Sequence, residues 1–219
     1  MAKEKSGVVS ILKDTLALVI ITLVAAVLLG FVKEITAGPI AEREEKTKQE
    51  AYLKVFPSAA KVVDPSQNAE LSAALADASS SLSEDMKSVV TIDEACLAQD
   101  AAGNTIGYIV TVTDKKGYGG SIQMVFGCTT EGSITGLQFL QIGETAGFGL
   151  EAEKNPEWRK QFLDKNAAQF TVTKNGAKED AEIDALSGAT ITSKAVTQGV
   201  NGGLLFIESL KQKGIGGIR

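Results

Sequence analysis

The feature that most constrains this chain is an uncharged apolar run near its N-terminus. Residues 15–32 read TLALVIITLVAAVLLGFV and lie between Asp14 and Lys33. A helix of this length measures about 27 Å, close to the thickness of a bilayer core. A buried core helix would show a polar face, and a cleaved signal peptide would need a small-residue cleavage site where KEITAGP follows. We therefore predict one uncleaved transmembrane helix over 15–32, after a short cytoplasmic N-terminus at 1–14.

The charges around this run do not decide its orientation. Three lysines precede it, and four basic residues follow it at Lys33, Arg43, Lys46 and Lys48. The numbers of basic residues on the two sides are too similar for the positive-inside rule to decide the orientation. A long following domain can also be translocated despite such charges.

The segment after the run predicts a charged connecting helix over 33–56. Gly38-Pro39 is expected to interrupt the chain, because proline suits the first turn of a new helix. Glu42 and Lys46 then have the i,i+4 spacing of a solvated helix. We place one domain at 57–219, in which residues 64–88 are expected to form surface helix or loop.

The domain combines strands with helices. Segments 105–113, 121–128 and 133–141 are rich in β-branched and aromatic residues and are separated by the turn sequences DKKGYGG and TTEG. They predict an antiparallel meander. Residues 153–166 and 191–213 favour helices, and 169–174 favours another strand. The predicted class is α+β, a single N-terminal transmembrane helix followed by a domain with an antiparallel sheet and flanking helices.

Composition excludes several kinds of chemistry. The chain has no histidine, which removes histidine-based catalysis and most zinc sites. Its two cysteines, Cys96 and Cys128, cannot ligate an iron–sulfur cluster unaided, and are interpreted as buried apolar residues, with a disulfide as the alternative. The net charge is −5, and acidic and basic residues are interspersed, so the sequence contains no basic patch of the kind that binds nucleic acid. Any redox chemistry must therefore reside on an organic cofactor.

The first candidate motif is GETAGFG, residues 143–149, directly after the third predicted strand. Its glycines allow the backbone to approach a ligand closely. Glu144 and Thr145 offer an acceptor and a hydroxyl group, while Phe148 and Leu150 offer apolar surface. A flexible connection is the alternative interpretation.

The second candidate motif is DALSGAT, residues 184–190, before the predicted final helix. Ser187 or Thr190 is expected to cap that helix, with Gly188 easing the turn. The same helix start presents unpaired N–H groups that favour a phosphate, and Lys194 lies close enough to add a positive charge. A solvated lysine is the alternative interpretation for Lys194.

Together these motifs resemble a known family. DALSGAT fits the pattern Asp-x-x-Ser/Thr-Gly-Ala-Thr/Ser, which marks covalent attachment of FMN through its phosphate. GYGGSIQMVFG followed by ITGLQFLQIGETAGFG resembles the body of the same FMN-binding domain. With the anchor and the Pro-Ile helix, the chain resembles the G subunits of the Rnf ion-translocating ferredoxin:NAD oxidoreductases, and also the C subunits of the sodium-translocating NADH:quinone reductases. The family's loop commonly reads ETPGLG, whereas this chain has Ala146 and Phe148.

The resemblance implies a role for each matching residue. Thr190 would bear FMN as a phosphoester, and a separate flavin transferase that uses FAD and Mg²⁺ would recognise the other motif residues, Asp184, Ser187, Gly188 and Ala189. The residues near the flavin would be Glu144, Thr145, Gly147 and Gly149. No catalytic residue and no metal ligand is expected in the chain itself.

The resemblance also implies an electron-carrier subunit of a membrane-bound redox translocase. Its partners would be the other subunits of the complex and membrane lipid. The protein would be a single-pass inner-membrane protein with its FMN domain on the extracytoplasmic side, where a covalent bond prevents loss of the cofactor by dilution. The alternatives are a stand-alone anchored flavoprotein reductase with its own small-molecule acceptor and a flavin-free anchored scaffold.

Overall fold

A single long helix forms the N-terminal part of the chain. The computed structural model describes residues 2–165 and 167–216, and for residues 2–10 the backbone alone. Helix α1 runs from Ala2 to Val55 without interruption and contains Pro39. The expected break at Gly38-Pro39 is therefore wrong. Proline removes one hydrogen bond from a helix interior, but the apolar turns before it and the ion-paired turns after it, such as Lys46–Glu42 at 2.7 Å, both favour helix.

Helix α1 includes the apolar run identified in the sequence. Residues 11–55 contain an 18-residue window with a mean hydropathy of 2.8, none of which is buried. By length and composition this is the one helix within the described residues that is able to cross a membrane.

The chain divides into two compact units, Met1–Thr47 and Lys48–Arg219. The expected boundary lay at residues 56/57. The second unit begins earlier because Ala51, Tyr52 and Val55, in the last turns of α1, are buried against its sheet.

The second unit is built on a five-stranded antiparallel meander. Its strands are β1 (Lys61–Val63), β2 (Val90–Gln99), β3 (Thr105–Asp114), β4 (Ile122–Thr129) and β5 (Ile134–Gln141), hydrogen-bonded in chain order. The three predicted strands are confirmed as β3, β4 and β5. Strands β1 and β2 were not predicted, since a register shift between Ile92 and Glu94 interrupts the alternation of apolar residues in β2.

The segment before β2 is better packed than its composition predicts. It contains helices α2 (Ala69–Ala76) and α3 (Glu84–Lys87), and it buries Leu71, Leu82 and Met86 in the main core.

The segment after β5 leads through short elements to the last helix. Helices α4 (Glu151–Lys154) and α5 (Pro156–Lys160) replace the single helix expected over 153–166, because Pro156 starts a new turn capped by Asn155. Strands β6 (Thr171–Thr173) and β7 (Glu182–Asp184) form a separate parallel pair, and α6 spans Thr190–Gln212. Residues 1, 166 and 217–219, which the expected segments include, lie outside the described residues.

The two faces of the sheet have different covers. Helix α6 packs on one face, in the main core that includes Val112, Met124 and Phe126. The last turns of α1 and Phe56 pack on the other face, against Cys96 and Ile109. The predicted α+β class is confirmed.

Candidate functional site

The turn between β7 and α6 is held by backbone and by a side chain from inside the helix. Ala189 N–H donates to Leu186 O at 3.0 Å. The buried Ser193 hydroxyl accepts from Leu186 N–H and donates to Ala189 O, both at 2.9 Å. Ala189 is the N-cap residue and makes no side-chain capping bond, so the predicted cap by Ser187 or Thr190 is wrong. Ser193 fixes the turn instead.

This arrangement leaves the start of α6 open. The first N–H groups of an α-helix have no partner within the helix, and the aligned peptide dipoles give that end a partial positive charge. In α6 these groups belong to Thr190, Ile191 and Thr192, and no side chain caps them. The helix start therefore favours an anion.

The glycine loop, residues 143–149, packs directly against this helix start. Phe148 N–H and Leu150 N–H both donate to Thr145 O, at 3.2 and 3.1 Å. At Gly149 an added Cβ would lie 2.5 Å from Thr192 Oγ1 and 2.7 Å from Glu144 Oε2. Only glycine allows this approach, which explains one of the three glycines in the motif.

Glu144 carries the most unusual environment in this region. Its side chain is 7% exposed, and neither carboxyl oxygen has a hydrogen-bond partner among the described residues. A buried polar group without a partner costs about 1–3 kcal/mol, and more when it is charged. Such a group is typical of a site completed by a ligand that donates hydrogen bonds.

The two motifs and one further loop enclose a cavity of about 490 Å³. This volume lies within the range of small-molecule sites. The lining residues are Tyr118, Glu144, Thr145, Phe148, Gly149, Gly188, Ala189, Thr190, Ile191 and Thr192.

The cavity brings together six of the ten expected site residues: Glu144, Thr145, Gly149, Gly188, Ala189 and Thr190. The other four, Asp184, Ser187, Gly147 and Lys194, are not among the lining residues. Ser187, Gly147 and Lys194 are exposed to solvent.

Asp184 is held by its backbone rather than placed in the cavity. Trp158 Nε1 donates to Asp184 O at 2.7 Å, and Asp184 N–H donates to Gln161 Oε1 at 2.7 Å. These bonds fix the strand that leads into the turn.

Sequence reasoning missed four lining residues as site residues: Tyr118, Phe148, Ile191 and Thr192. Phe148 was noted only as apolar surface, and Tyr118 lies in a segment treated as a turn. The sequence did contain a signal for Tyr118. It is an aromatic residue within the glycine-rich GYGG sequence, and an aromatic side chain does not stabilise a solvated turn.

Neither cysteine lines the cavity. Cys96 and Cys128 are both buried and unpaired, as the sequence predicted. Burial raises the pKa of the Cys96 thiol to about 12 and that of the Cys128 thiol to about 11, so both stay protonated at neutral pH. Within the described residues, no group of three or more histidine, cysteine or acidic side chains is placed to hold a metal ion.

Comparison with known proteins first defines the class of this domain. Residues 117–204, which include all ten lining residues, match the family model described as the FMN-binding domain. The cavity fits such a ligand: its volume is suitable, an open helix start favours the phosphate, and the unpartnered Glu144 carboxyl group can accept hydrogen bonds from ribityl hydroxyls.

Two relatives then define the family. The chain is 33% identical over 205 residues to the G subunit of the Na⁺-translocating ferredoxin:NAD⁺ oxidoreductase complex of Acetobacterium woodii, covering 92% of this chain and 94% of the relative. It is 30% identical over 200 residues to the G subunit of the ion-translocating oxidoreductase complex of Methanosarcina acetivorans, covering 91% and 95%. The chain therefore belongs to the family of G subunits of the ion-translocating oxidoreductase complexes.

A solved structure supports the fold independently. The crystal structure of Shewanella oneidensis NqrC superposes with a TM-score of 0.52 at 15% identity, covering 78% of this chain and 99% of that one. At this identity the likeness concerns the fold alone.

Proposed function

We propose that this chain is the electron-carrier subunit of a membrane-bound ion-translocating complex of the ferredoxin:NAD oxidoreductase type, with FMN attached covalently to Thr190. The observation that carries the proposal is the position of Thr190. It is the first residue of α6, it lines the cavity, and the open helix start lies beside its hydroxyl group. FMN supplies the redox chemistry when bound, so the chain itself needs no proton-transfer residue.

The chain's part in attachment is to present a hydroxyl group. The Thr190 hydroxyl oxygen would form a bond to the phosphorus of the FMN half of FAD, while the bond from that phosphorus to the oxygen that leaves with AMP would break. The hydroxyl proton would pass to solvent, AMP would be released, and no electrons would be transferred. A flavin transferase with Mg²⁺ would catalyse this step, and the N–H groups at the start of α6 would hold the phosphate.

The rest of the attachment motif orients that hydroxyl group. Ser193 fixes the turn through Leu186 and Ala189, and Trp158 and Gln161 fix the backbone of Asp184. Asp184 and the exposed Ser187 form the surface that the transferase recognises. Gly147, in the exposed part of the glycine loop, permits its turn at φ 77°.

The N-terminal helix gives the domain its location. Residues 15–32 span the inner membrane, residues 33–47 connect, and the FMN-binding unit begins at Lys48, where the compact unit starts. The unit lies on the extracytoplasmic side, where a covalent bond retains the flavin in the absence of a free FMN pool.

The test is intact-mass analysis of full-length chains coexpressed with a flavin transferase. Thr190→Val keeps the side-chain volume and removes the hydroxyl group, so we expect no covalent flavin. Thr192→Val is the matched control, because Thr192 lines the same cavity, and it should retain the modification. Thr190→Ser should keep part of it. Flavin fluorescence that survives denaturation of the Thr190→Val chain would contradict the proposal.

A further inference from the structure

The chain contains two asparagine–glycine steps, and the fold places them in opposite surroundings. Of its six asparagines, Asn175 and Asn201 are the two that precede a glycine. At such a step the next main-chain nitrogen can attack the side-chain amide of the asparagine, because glycine has no side chain to block the approach. The surroundings of each step therefore decide whether this reaction takes place.

Asn175 lies in an open loop. It belongs to the connection between β6 and β7, in which residues 174–180 are all exposed. Its main-chain N–H donates to Thr173 Oγ1 at 3.3 Å. Its side-chain amide has no hydrogen-bond partner among the described residues, so nothing in the fold holds that amide away from its neighbour.

The nitrogen that would attack is equally free. No described group accepts a hydrogen bond from Gly176 N–H. Gly176 adopts φ 83°, and a Cβ added there would meet no atom within 4 Å. The nitrogen can therefore approach the side chain without the loss of a hydrogen bond and without a steric clash.

Asn201 has the same sequence signal but a protected amide. It lies within α6 and is 5% exposed. Its Oδ1 accepts from Phe170 N–H at 2.8 Å, and its Nδ2 donates to Phe170 O at 2.9 Å. Attack by Gly202 N–H would require that both bonds break and that the helix opens locally.

We propose that Asn175 is a site of spontaneous deamidation in the folded chain. Gly176 N loses its proton to solvent and forms a bond to Asn175 Cγ, while the bond from Cγ to Nδ2 breaks and ammonia leaves. Water then opens the cyclic imide at either carbonyl group and gives aspartate or isoaspartate, with no change of oxidation state. The reaction needs only the chain and water, so this inference is independent of the proposed function.

The modification changes the loop next to the β6–β7 pair. Either product adds a negative charge, and isoaspartate also adds a carbon atom to the main chain. Thr173, two residues before Asn175, pairs with Asp184. Because residues 174–180 are exposed, the extra atom displaces no buried side chain. The loop therefore accumulates charge with the age of the chain while the core is left in place.

The test incubates the full-length chain in detergent, at mildly alkaline pH, in water enriched in heavy oxygen. Each deamidated residue takes up a heavy oxygen atom, and peptide mass spectrometry locates it. We expect Asn175 to be modified at least about a hundredfold faster than Asn201, whose two buried hydrogen bonds must break first. Asn175→Gln keeps an exposed amide but closes a larger ring slowly, so the acidic charge variant should disappear on isoelectric focusing.

The chain unfolded in guanidinium chloride is the control, because both asparagines lose their surroundings there and should react at similar rates. If Asn175 reacts in the unfolded chain but stays unmodified in the folded one, the loop protects it and the proposal is overturned. Equal modification of Asn175 and Asn201 in the folded chain would also overturn it, since the fold would then not select the site. An acidic variant that persists in Asn175→Gln would place the main site elsewhere.

Discussion

Helices α1 and α6 cover opposite faces of the same sheet, and they do so to different extents. Helix α6 buries residues along most of its length, from Thr192 to Leu210. Helix α1 contributes only its end, where Tyr52 and Val55 are buried while residues 11–34 are exposed. The comparison separates two roles: α6 is part of the core and supports the cavity, whereas α1 joins an apolar segment, long enough to cross a membrane, to the domain through its last two turns.

Truncation at the end of α1 should have the largest effect on the free energy of unfolding, because it removes the residues that cover one face of the sheet. A chain starting at residue 33 keeps the end of α1 and should unfold cooperatively. A chain starting at residue 57 loses Tyr52, Val55 and Phe56, whose side chains are 7%, 0% and 2% exposed. Loss of each large core side chain costs about 2–5 kcal/mol, so the total approaches the stability of a whole domain, about 5–15 kcal/mol.

Urea unfolding followed by circular dichroism distinguishes the two chains. We expect a sigmoidal transition for 33–219 and none for 57–219. A cooperative transition in the shorter chain would mean that the end of α1 is dispensable, and that the boundary expected at 56/57 describes the domain better.

A second prediction concerns a buried acid on the α6 face. Asp114 is fully buried beside the loop that carries Tyr118, and one of its carboxyl oxygens accepts from Lys116 N–H at 2.7 Å. Burial raises its pKa to about 6, against an ordinary 3.8. The folded state thus binds this proton more tightly than the unfolded state. The contribution of Asp114 to the free energy of unfolding is therefore fully present below pH 4, is lost as pH rises through 6, by about 3 kcal/mol in all, and does not change above that.

Asp114→Asn should remove this dependence and stabilise the chain at pH 7. Urea unfolding of wild type and variant from pH 4 to pH 7, on the 33–219 chain, measures the difference. Parallel pH profiles for the two chains would show that Asp114 is not the responsible group.

A third prediction concerns the bond that holds the turn at the start of α6. Ser193→Ala leaves Leu186 N–H without its partner, which should cost about 1–3 kcal/mol of stability. It should also slow flavin loading, by about tenfold for each 1.4 kcal/mol spent on restoring the turn. Thr197→Val is the matched control one turn along α6, because the buried Thr197 hydroxyl has no partner among the described residues.

Loading rates followed by intact mass, together with thermal unfolding, test this role. Ser193→Thr keeps the hydroxyl group and should load faster than Ser193→Ala. If Ser193→Ala loads at the wild-type rate despite its lower stability, Ser193 supports the fold alone and does not position Thr190.

The smallest effect is expected from Lys194. It is exposed on α6 and does not line the cavity, so it acts on the phosphate only through a screened charge. Lys194→Ala should slow loading by at most about twofold at low salt and leave it unchanged at high salt. The reduction potential of the flavin should fall slightly, as a positive charge favours the reduced anion. A tenfold slower loading would place Lys194 in direct contact with the phosphate.

These two helices also mark what the sequence could predict. Helix α6 and strands β3 to β5 carry clear periodicity, and the motif that ends at Thr190 contributes residues to the lining of the cavity. Strand β2 escaped prediction because its bulge near Ile92 breaks the alternation, and the continuity of α1 escaped because Pro39 usually begins or breaks a helix.

The lining of the cavity was predictable in part. Glu144 and Thr190 belong to recognisable motifs, whereas Tyr118 lies in a loop that meets the glycine loop through close approaches of Gly117 and Gly119. A contact between loops distant in sequence leaves no local pattern. The burial of Glu144 without a hydrogen-bond partner among the described residues is likewise a property of the folded chain, and the sequence does not predict it.

The contact between Phe148 and Gly188 has a consequence for the timing of biogenesis. The surroundings of Thr190 form only when the glycine loop has met the last helix, and α6 must first pack on β2, β3 and β4, all of which precede it in synthesis. A nascent or unfolded chain contains the same DALSGAT motif but not its folded conformation. If FMN is attached at Thr190 as proposed, we therefore expect attachment to follow folding of the domain, so that unfolded chains remain unmodified.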